Sequence, residues 1–170
     1  MKKLLALLFL LSSCINEFSN INKYKNGKKD GVWRYFYENG QLEREEFFKE
    51  DTLSGESKHF NKNGQLVYQG NHRGGKEDGL WSWYHENGNL MIKLTMEKGV
   101  IVGKGMFYYK NGELHSVGNY KNGERHGIWK FYRENGELSN EGSFVNGAQE
   151  GVWRFYDDDG IISEEINYKK

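Results

Sequence analysis

The residues able to do chemistry in this sequence are histidines, carboxylates and one cysteine, and their spacing limits which chemistry is open to them. Metal centres need several ligands that converge at a fixed geometry. The histidines occupy five different positions of a repeating pattern, and no two have the spacing of paired ligands: His59, His72, His85, His115 and His126. No Ser-His-Asp set, recurring carboxylate pair or cofactor fingerprint accompanies them. We therefore expect no metal site, no cofactor and no catalytic residues, and we predict that the protein is not an enzyme.

Two short segments resemble known ligand loops only in part. Residues 99–105 read Gly-Val-Ile-Val-Gly-Lys-Gly, which is one residue short of a phosphate-binding loop and lacks Ser or Thr after the lysine. Residues 157–160 read Asp-Asp-Asp-Gly, as in a calcium loop, but the first and last ligand positions would then fall on Phe155 and Ile166, which carry no side-chain oxygen. We interpret both segments as parts of a structural repeat.

The element that must position these residues is a repeat of 24 residues. A glycine begins each unit, and an Asn-Gly or Asp-Gly pair follows after a run rich in aromatic and β-branched residues. Asn-Gly between such runs is the strongest short hairpin signal, and a fixed period of this size indicates stacked supersecondary units. No insertion or deletion interrupts the series of starting glycines, which are Gly31, Gly55, Gly79, Gly103, Gly127 and Gly151.

The composition agrees with an antiparallel array. The chain has 22 glycines and no proline, which fits because glycine supplies turns and proline cannot donate a hydrogen bond to a strand ladder. Apolar residues make up 36% of the chain, but the aromatic ones fall in register with the period and so form rows. Lys plus Arg and Asp plus Glu both number 24, so the basic stripe that a nucleic acid requires is missing. We expect no nucleic-acid partner.

The turn residues predict a strand register. If Asn39-Gly40 forms a two-residue turn, the second residue after each starting glycine lies opposite the fifteenth, and the third lies opposite the fourteenth. A slip of one residue would move each side chain to the other face of the sheet. In this register opposite charges meet across three hairpins: Arg34 with Glu45, Lys130 with Glu141, and Arg154 with Glu165.

The opposite face of the predicted sheet carries the tryptophans. The fifteenth position is glycine in three repeats, namely Gly70, Gly118 and Gly142. An aromatic ring can therefore lie flat over a cross-strand glycine, which would otherwise leave a hole in the sheet. Two interpretations of the aromatic rows remain open: the rings pack on each other and on these glycines, or part of the row stays exposed as a binding surface.

We predict an all-β fold, an elongated, twisted, single-layer antiparallel meander of six 24-residue β-hairpin repeats. Phe18 and Tyr24 fall where the leucine and the closing aromatic residue of a returning strand would fall if the period extended backwards. We therefore expect an N-terminal half-repeat that covers the first edge of the sheet. Residues 14–23 form a tether and the start of this half-repeat in this interpretation, and residues 24–170 form the array.

The N-terminus has the pattern of an export signal. Lys2 and Lys3 precede an apolar run, Leu4 to Leu11, that is too short to span the hydrocarbon core as a helix. Leu11-Ser12-Ser13-Cys14 then resembles a bacterial lipobox, in which the cysteine is acylated with diacylglycerol and becomes the first mature residue. The resemblance implies a lipoprotein signal peptide at residues 1–13, lipidation of Cys14 and a location in the cell envelope, at the outer membrane or cell surface. An ordinary signal peptide with an incidental cysteine is the alternative.

The repeat itself resembles a known family. From Tyr24 to Tyr168 the pattern Asn-Gly-x-x-x-Gly-x-Trp-x-aromatic-aromatic-x-x-Asn-Gly-x-Leu is similar to the MORN-variant repeat. In repeats two and four, Ser57 and Gly105 replace the tryptophan, and Asp51 replaces a glycine. The resemblance implies a lipoprotein, because the family is common in bacterial lipoproteins, or a YwqK-type antitoxin component of a toxin–antitoxin system.

Our leading hypothesis is a non-catalytic envelope lipoprotein that is anchored to the membrane by its lipid and presents its repeat sheet to a protein partner. An antitoxin or immunity role, in which the sheet masks a toxin, is implied by the family alone. Glycan or cell-wall binding is a further alternative, because aromatic faces stack on sugars. The candidate partner-binding residues are Trp33, Trp81, Trp83, Trp129 and Trp153.

Overall fold

The computed structural model describes residues 22–169, which form strands and turns and contain no helix. The strands follow the chain as β1 (Tyr24–Lys25), β2 (Lys28–Lys29), β3 (Gly31–Phe36), β4 (Leu42–Lys49), β5 (Thr52–Phe60), β6 (Leu66–Arg73), β7 (Lys76–Glu77), β8 (Gly79–Tyr84), β9 (Leu90–Glu97), β10 (Val100–Tyr108), β11 (Leu114–Lys121), β12 (Glu124–Tyr132), β13 (Leu138–Val145), β14 (Ala148–Tyr156) and β15 (Ile162–Tyr168).

The strands form a meander in which sequence neighbours are neighbours in space. β1 and β2 make a small hairpin, and the strands from β3 to β15 make one sheet in which every pairing is antiparallel. β7 and β8 both pair with β6, so together they occupy the place of one strand. β3 and β15 lie at the two ends of the sheet and do not pair with each other, so the sheet is open. The predicted single-layer meander is confirmed.

The predicted register is confirmed in every hairpin. In the first repeat Trp33 lies opposite Glu46, and Arg34 lies opposite Glu45. The same offset recurs in the other repeats, and residues directly opposite each other share a face. On the first strand of each hairpin, residues an even number of positions from the starting glycine therefore lie, with their cross-strand partners, on what we call the even face, and residues at odd positions lie with theirs on the odd face. Opposite charges therefore meet on the odd face, and the tryptophans lie on the even face.

The turn that produces this register differs from the expected one. The amide of Gly40 donates to the carbonyl of Tyr37 at 2.9 Å, and the amide of Tyr37 donates to the carbonyl of Gln41 at 2.9 Å. The loop therefore holds three residues, a type I turn followed by Gly40 at φ 82°. The predicted two-residue turn was therefore wrong. The predicted register is nevertheless correct, because a bulge in the ladder between Tyr35 and Phe36 compensates for the additional loop residue.

Two-residue turns occur between repeats instead. Both residues of such a turn have positive φ, for example 54° at Asn122 and 85° at Gly123, as a type I′ turn requires. The turn after the first repeat has no glycine, and Glu50 and Asp51 adopt φ of 49° and 66°. The Asp51 carboxylate accepts a hydrogen bond from the amide of Lys29 at 2.7 Å, which links this turn to the neighbouring hairpin.

The indole rings pack between repeats. A Cβ on Gly118 would lie 2.3 Å from a carbon of the Trp129 ring, so the ring rests directly on the glycine backbone. The indole N–H donates to the carbonyl of Asn119 at 3.1 Å. The predicted contact between an aromatic ring and a glycine is confirmed, but it involves a different glycine. Trp129 lies opposite Gly142 in its own hairpin, whereas its ring covers Gly118 of the preceding repeat. The same arrangement joins Trp81 to Gly70 and Trp153 to Gly142.

The turns of successive repeats are joined by asparagine side chains. The Asn87 amide group donates to the carbonyl of Lys110 at 2.6 Å, and that of Asn111 donates to the carbonyl of Glu134 at 2.8 Å. The Asn111 carbonyl oxygen also accepts from the backbone amide of Glu113 at 2.9 Å, which holds its own turn. Asn39, Asn87 and Asn111 thus support the stacking of repeats as well as their own local turns.

The residues before the first repeat cover the free edge of β3. The amide of Asn22 donates to the carbonyl of Val32 at 2.8 Å, and its side chain accepts from the amide of Arg34 at 2.6 Å. Tyr24 contacts Trp33 edge-on, with ring centroids 5.0 Å apart. This is the place predicted for the end of the half-repeat. Residues 1–21, with the expected signal peptide, Cys14 and Phe18, lie outside the described residues, as does Lys170.

Candidate interaction surfaces

The odd face is charged and organised by its ion pairs. Lys130 Nζ lies 3.2 Å from Glu141 Oε2, and the Tyr156 hydroxyl donates to the other oxygen of Glu141 at 2.9 Å. Burial raises the pKa of Glu141, but the hydrogen bonds from Tyr156 and Lys130 outweigh burial and leave the pKa lowered. The bond to Glu141 raises the pKa of Lys130. Each pair is partly exposed, so it specifies register more than it adds stability.

A row of four apolar and two charged residues runs across this charged face. It consists of the residue that follows each starting glycine, and we call it the outer row: Val32, Glu56, Leu80, Lys104, Ile128 and Val152. Ile128 is 62% exposed and Leu80 is 49% exposed. Phe47, which is 41% exposed, lies opposite Val32 and widens the row at that end of the sheet. Ile128 and Val152 are apolar neighbours in this row, as are Val32 and Phe47 across the strands, and clustered exposed apolar side chains are typical of interaction sites.

The even face buries most of the predicted contact residues. The exposed fraction is 7% for Trp33, 5% for Trp81, 2% for Trp153 and zero for Trp129. These four rings pack the repeats together, so they offer little surface to a partner. Trp83 is half-buried. The sequence placed all five on one face correctly, but it did not indicate how deeply the neighbouring repeats would cover four of them.

Two repeats place a cation of their own over these rings. Lys29 Nζ lies 4.5 Å from the centroid of the Trp33 ring, and Arg125 Cζ lies 4.5 Å from that of the Trp129 ring. Such distances are those of cation–π contacts. The pKa of Lys29 is raised, chiefly by its hydrogen bond to the Tyr35 hydroxyl at 2.9 Å. Both cations stand two residues before a starting glycine, and the sequence analysis missed this recurrence.

A pocket of about 360 Å³ opens on the even face where Ser57 replaces the tryptophan of repeat two. Ser57 is buried, and its Oγ lies 3.0 Å from Nδ1 of His72. We call this cavity the repeat-two pocket and define it by the four rings and two carboxylates that line it: Tyr68, His72, Trp81, Trp83, Glu46 and Glu77. The sequence showed the missing tryptophan, but the cavity depends on how the neighbouring side chains close around the gap.

Potential metal ligands are not clustered in the described part of the chain. Among residues 22–169, no three or more His, Cys, Asp or Glu side chains come close enough together to hold a metal ion. The same part of the chain has no helix of the length and apolarity needed to cross a membrane.

Comparison with known proteins places the chain in a family of repeats. No curated protein matches its sequence. The MORN repeat variant matches six times, at residues 29–50, 53–73, 77–98, 101–122, 125–146 and 149–170. Each match begins two residues before a starting glycine, so the matched unit coincides with the structural repeat. Because these matches cover most of its length, the chain belongs to the MORN repeat variant family.

Proposed function

We propose that the protein is a non-catalytic envelope lipoprotein whose repeat sheet binds a protein partner through the outer row. The observation that carries this proposal is the exposed apolar row on an open sheet face, with Ile128 62% and Leu80 49% exposed. Protein interfaces combine apolar anchors with a polar surround, which is the arrangement that the outer row and its flanking ion pairs offer.

The charged side chains of the outer row give the surface its selectivity. Glu56 and Lys104 interrupt the apolar residues in repeats two and four, the same repeats that lack the tryptophan on the other face. Glu56 is already paired with Lys58 Nζ at 2.8 Å, so a partner that buries Leu80 and Ile128 must above all place a complementary charge against Lys104, because a like or unpaired charge at the interface disfavours binding.

The lipoprotein part of the proposal is supported by the sequence at Cys14. An acylated cysteine would hold the array at a membrane surface and leave the sheet free to meet its partner. Metabolic labelling with an alkyne palmitate in the bacterial host tests this: the wild-type chain should carry label, and the Cys14→Ser variant should carry none and remain a signal-bearing precursor. Equal labelling of the two proteins would contradict lipidation at Cys14.

Site-specific photo-crosslinking in intact cells tests the interaction surface. A photoreactive phenylalanine analogue at Ile128 should give one defined cross-linked protein, because that side chain stands in the outer row. The same analogue at Asp159, in an exposed turn at the edge of the sheet, serves as the control and should give none. A lack of product at Ile128, or the same products at both positions, would contradict the proposal.

The identity of the captured protein then separates the partner classes. A captured toxin whose effect is relieved by co-expression of this chain would make the interaction an antitoxin or immunity function. Retention of the purified protein on a peptidoglycan column, with no cross-linked protein, would favour glycan binding over a protein partner.

A further inference from the structure

We propose that the repeat-two pocket binds an organic cation, a guanidinium or alkylammonium group supplied from outside the chain. The pocket lies on the even face, opposite the outer row, so this site is independent of the protein-binding surface proposed above. Its volume of about 360 Å³ suits the end of a basic side chain or a small quaternary ammonium ion.

Aromatic rings form the walls of the pocket. The rings of Tyr68 and Trp81 are tilted at 33° with centroids 6.0 Å apart, and Trp81 and Trp83 stand 5.8 Å apart at 30°. His72 contacts Trp81 edge-on at 5.1 Å. The faces of such rings carry negative electrostatic potential, so several rings around one cavity attract a cation.

Two carboxylates add negative charge at the same place. Glu46 and Glu77 both line the pocket. Glu46 has a distant partner in Arg44, at 3.5 Å, but that guanidinium lies over the ring of Tyr35, 4.2 Å from its centroid. The pKa of the Tyr68 hydroxyl is raised, first by burial and then by the charge of Glu46, with Arg44 opposing.

Among the described residues that line the pocket, Lys58 is the one Lys or Arg, and its ammonium group is turned away from the cavity. Lys58 stands at an odd position, and its Nζ is held by Glu56 at 2.8 Å on the charged face. Its ammonium group is therefore committed to the other side of the sheet. Of the lining residues that the structure describes, the two carboxylates and the aromatic rings therefore determine the electrostatic potential inside the cavity.

The chain itself shows what this aromatic face binds. Two residues before the starting glycine, repeats one and five carry Lys29 and Arg125, and both cations lie over the rings of their own repeat. Repeat three carries Glu77 at the same position, beside Trp81 and Trp83. Repeat three therefore has aromatic rings like those of repeats one and five, but it has a carboxylate where those repeats have a cation, and an open cavity lies beside its rings.

Nuclear magnetic resonance titration of the purified protein tests binding directly, with the indole N–H signals of Trp81 and Trp83 as reporters. The probes are N-acetyl-arginine amide, choline and the neutral N-acetyl-norleucine amide. The two cations should shift the reporters saturably, with a dissociation constant on the order of 1–10 mM, and the neutral probe should not. Tighter binding of the arginine derivative would identify a basic side chain as the ligand, and tighter binding of choline would identify a small ammonium compound.

Variants locate the site and separate it from general charge effects. Glu77→Gln should weaken cation binding about fivefold by removing one facing charge. Gln149→Arg makes the same change in net charge at the equivalent position of repeat six, which is exposed, and should leave binding unchanged. Glu77→Arg should abolish binding, because the new guanidinium would occupy the rings as Arg125 does in repeat five.

Ser57→Trp provides a second, independent test. It introduces the tryptophan that repeats one, three, five and six carry, fills the cavity and should abolish binding. If that variant does not fold, the Glu77 variants still decide the question. Equal shifts with the neutral probe, no saturable shift with either cation, or an unchanged affinity in Glu77→Gln would overturn the proposal.

Discussion

Gly118 and Trp129 show how a single side chain decides whether two repeats can pack. The Trp129 ring is fully buried and rests on the backbone of Gly118, while its N–H is bound by the carbonyl of Asn119 at 3.1 Å. Any side chain on Gly118 would begin 2.3 Å from the ring, far inside van der Waals contact. The absence of a Cβ is therefore a packing requirement at this position, where φ is not positive.

Replacing Gly118 with alanine should lower the free energy of unfolding by about 1–3 kcal/mol, because the methyl group forces the ring off the sheet. Urea unfolding followed by tryptophan fluorescence measures the change. In a Trp129→Leu background the cost of Gly118→Ala should shrink, since the flat ring is gone. An equal cost in both backgrounds would show that the contact with the ring is not the cause.

The hairpins are built by two kinds of turn with different demands on the chain. Within a repeat, the loop needs one residue with positive φ, and glycine always occupies it, as at Gly40 and Gly136. Between repeats, both turn residues have positive φ, which suits Asn-Gly. Glu50 adopts φ of 49° in such a turn, although a long side chain with no local hydrogen bond gains little from this conformation.

Replacing Glu50 with asparagine should raise the free energy of unfolding by about 0.5–1 kcal/mol, because asparagine tolerates the left-handed region. Thermal and urea unfolding measure the gain. Glu38→Asn is the matched control, since it makes the same chemical change in an exposed turn position without positive φ, and it should have almost no effect. A gain of the same size from both substitutions would show that loss of the negative charge, and not the turn conformation, is the cause.

The whole molecule is stabilised one repeat at a time. Each strand contacts the strands beside it, and the indole–glycine contacts and asparagine bonds reach only the next repeat along the chain. The free energy of unfolding of such an array is approximately the sum of the contributions of the individual repeats and of the interfaces between neighbouring repeats. A whole unit can therefore be removed, provided that the new neighbours fit each other.

Two deletions of equal length test this. Removing residues 127–150 brings Trp153 over Gly118, so the ring keeps a glycine beneath it, and we expect a folded protein that unfolds cooperatively. Removing residues 103–126 brings Trp129 over Leu94, where the side chain blocks the ring. The second deletion should be less stable by at least about 1–3 kcal/mol in urea unfolding. Equal stability of the two proteins would contradict the role of the inter-repeat glycines.

The sequence by itself determined the period, the strand register and the sorting of side chains between two faces. The unbroken spacing of glycines, together with the alternation of side chains between the two faces of a strand, leaves few ways to pair the strands. The ion pair between Arg34 and Glu45 follows from that register alone. These features depend on residues close in the chain, which is why they could be predicted without coordinates.

The tertiary structure alone decided which repeat each ring covers, how deeply the tryptophans are buried and where the surface stays open. Alternation assigns Trp129 to a face but does not say that it leans over Gly118 of the preceding repeat, because that depends on the twist and on the neighbouring strand. The repeat-two pocket arises for the same reason: Ser57 leaves a gap that only the packing of Trp81 and its neighbours turns into a cavity.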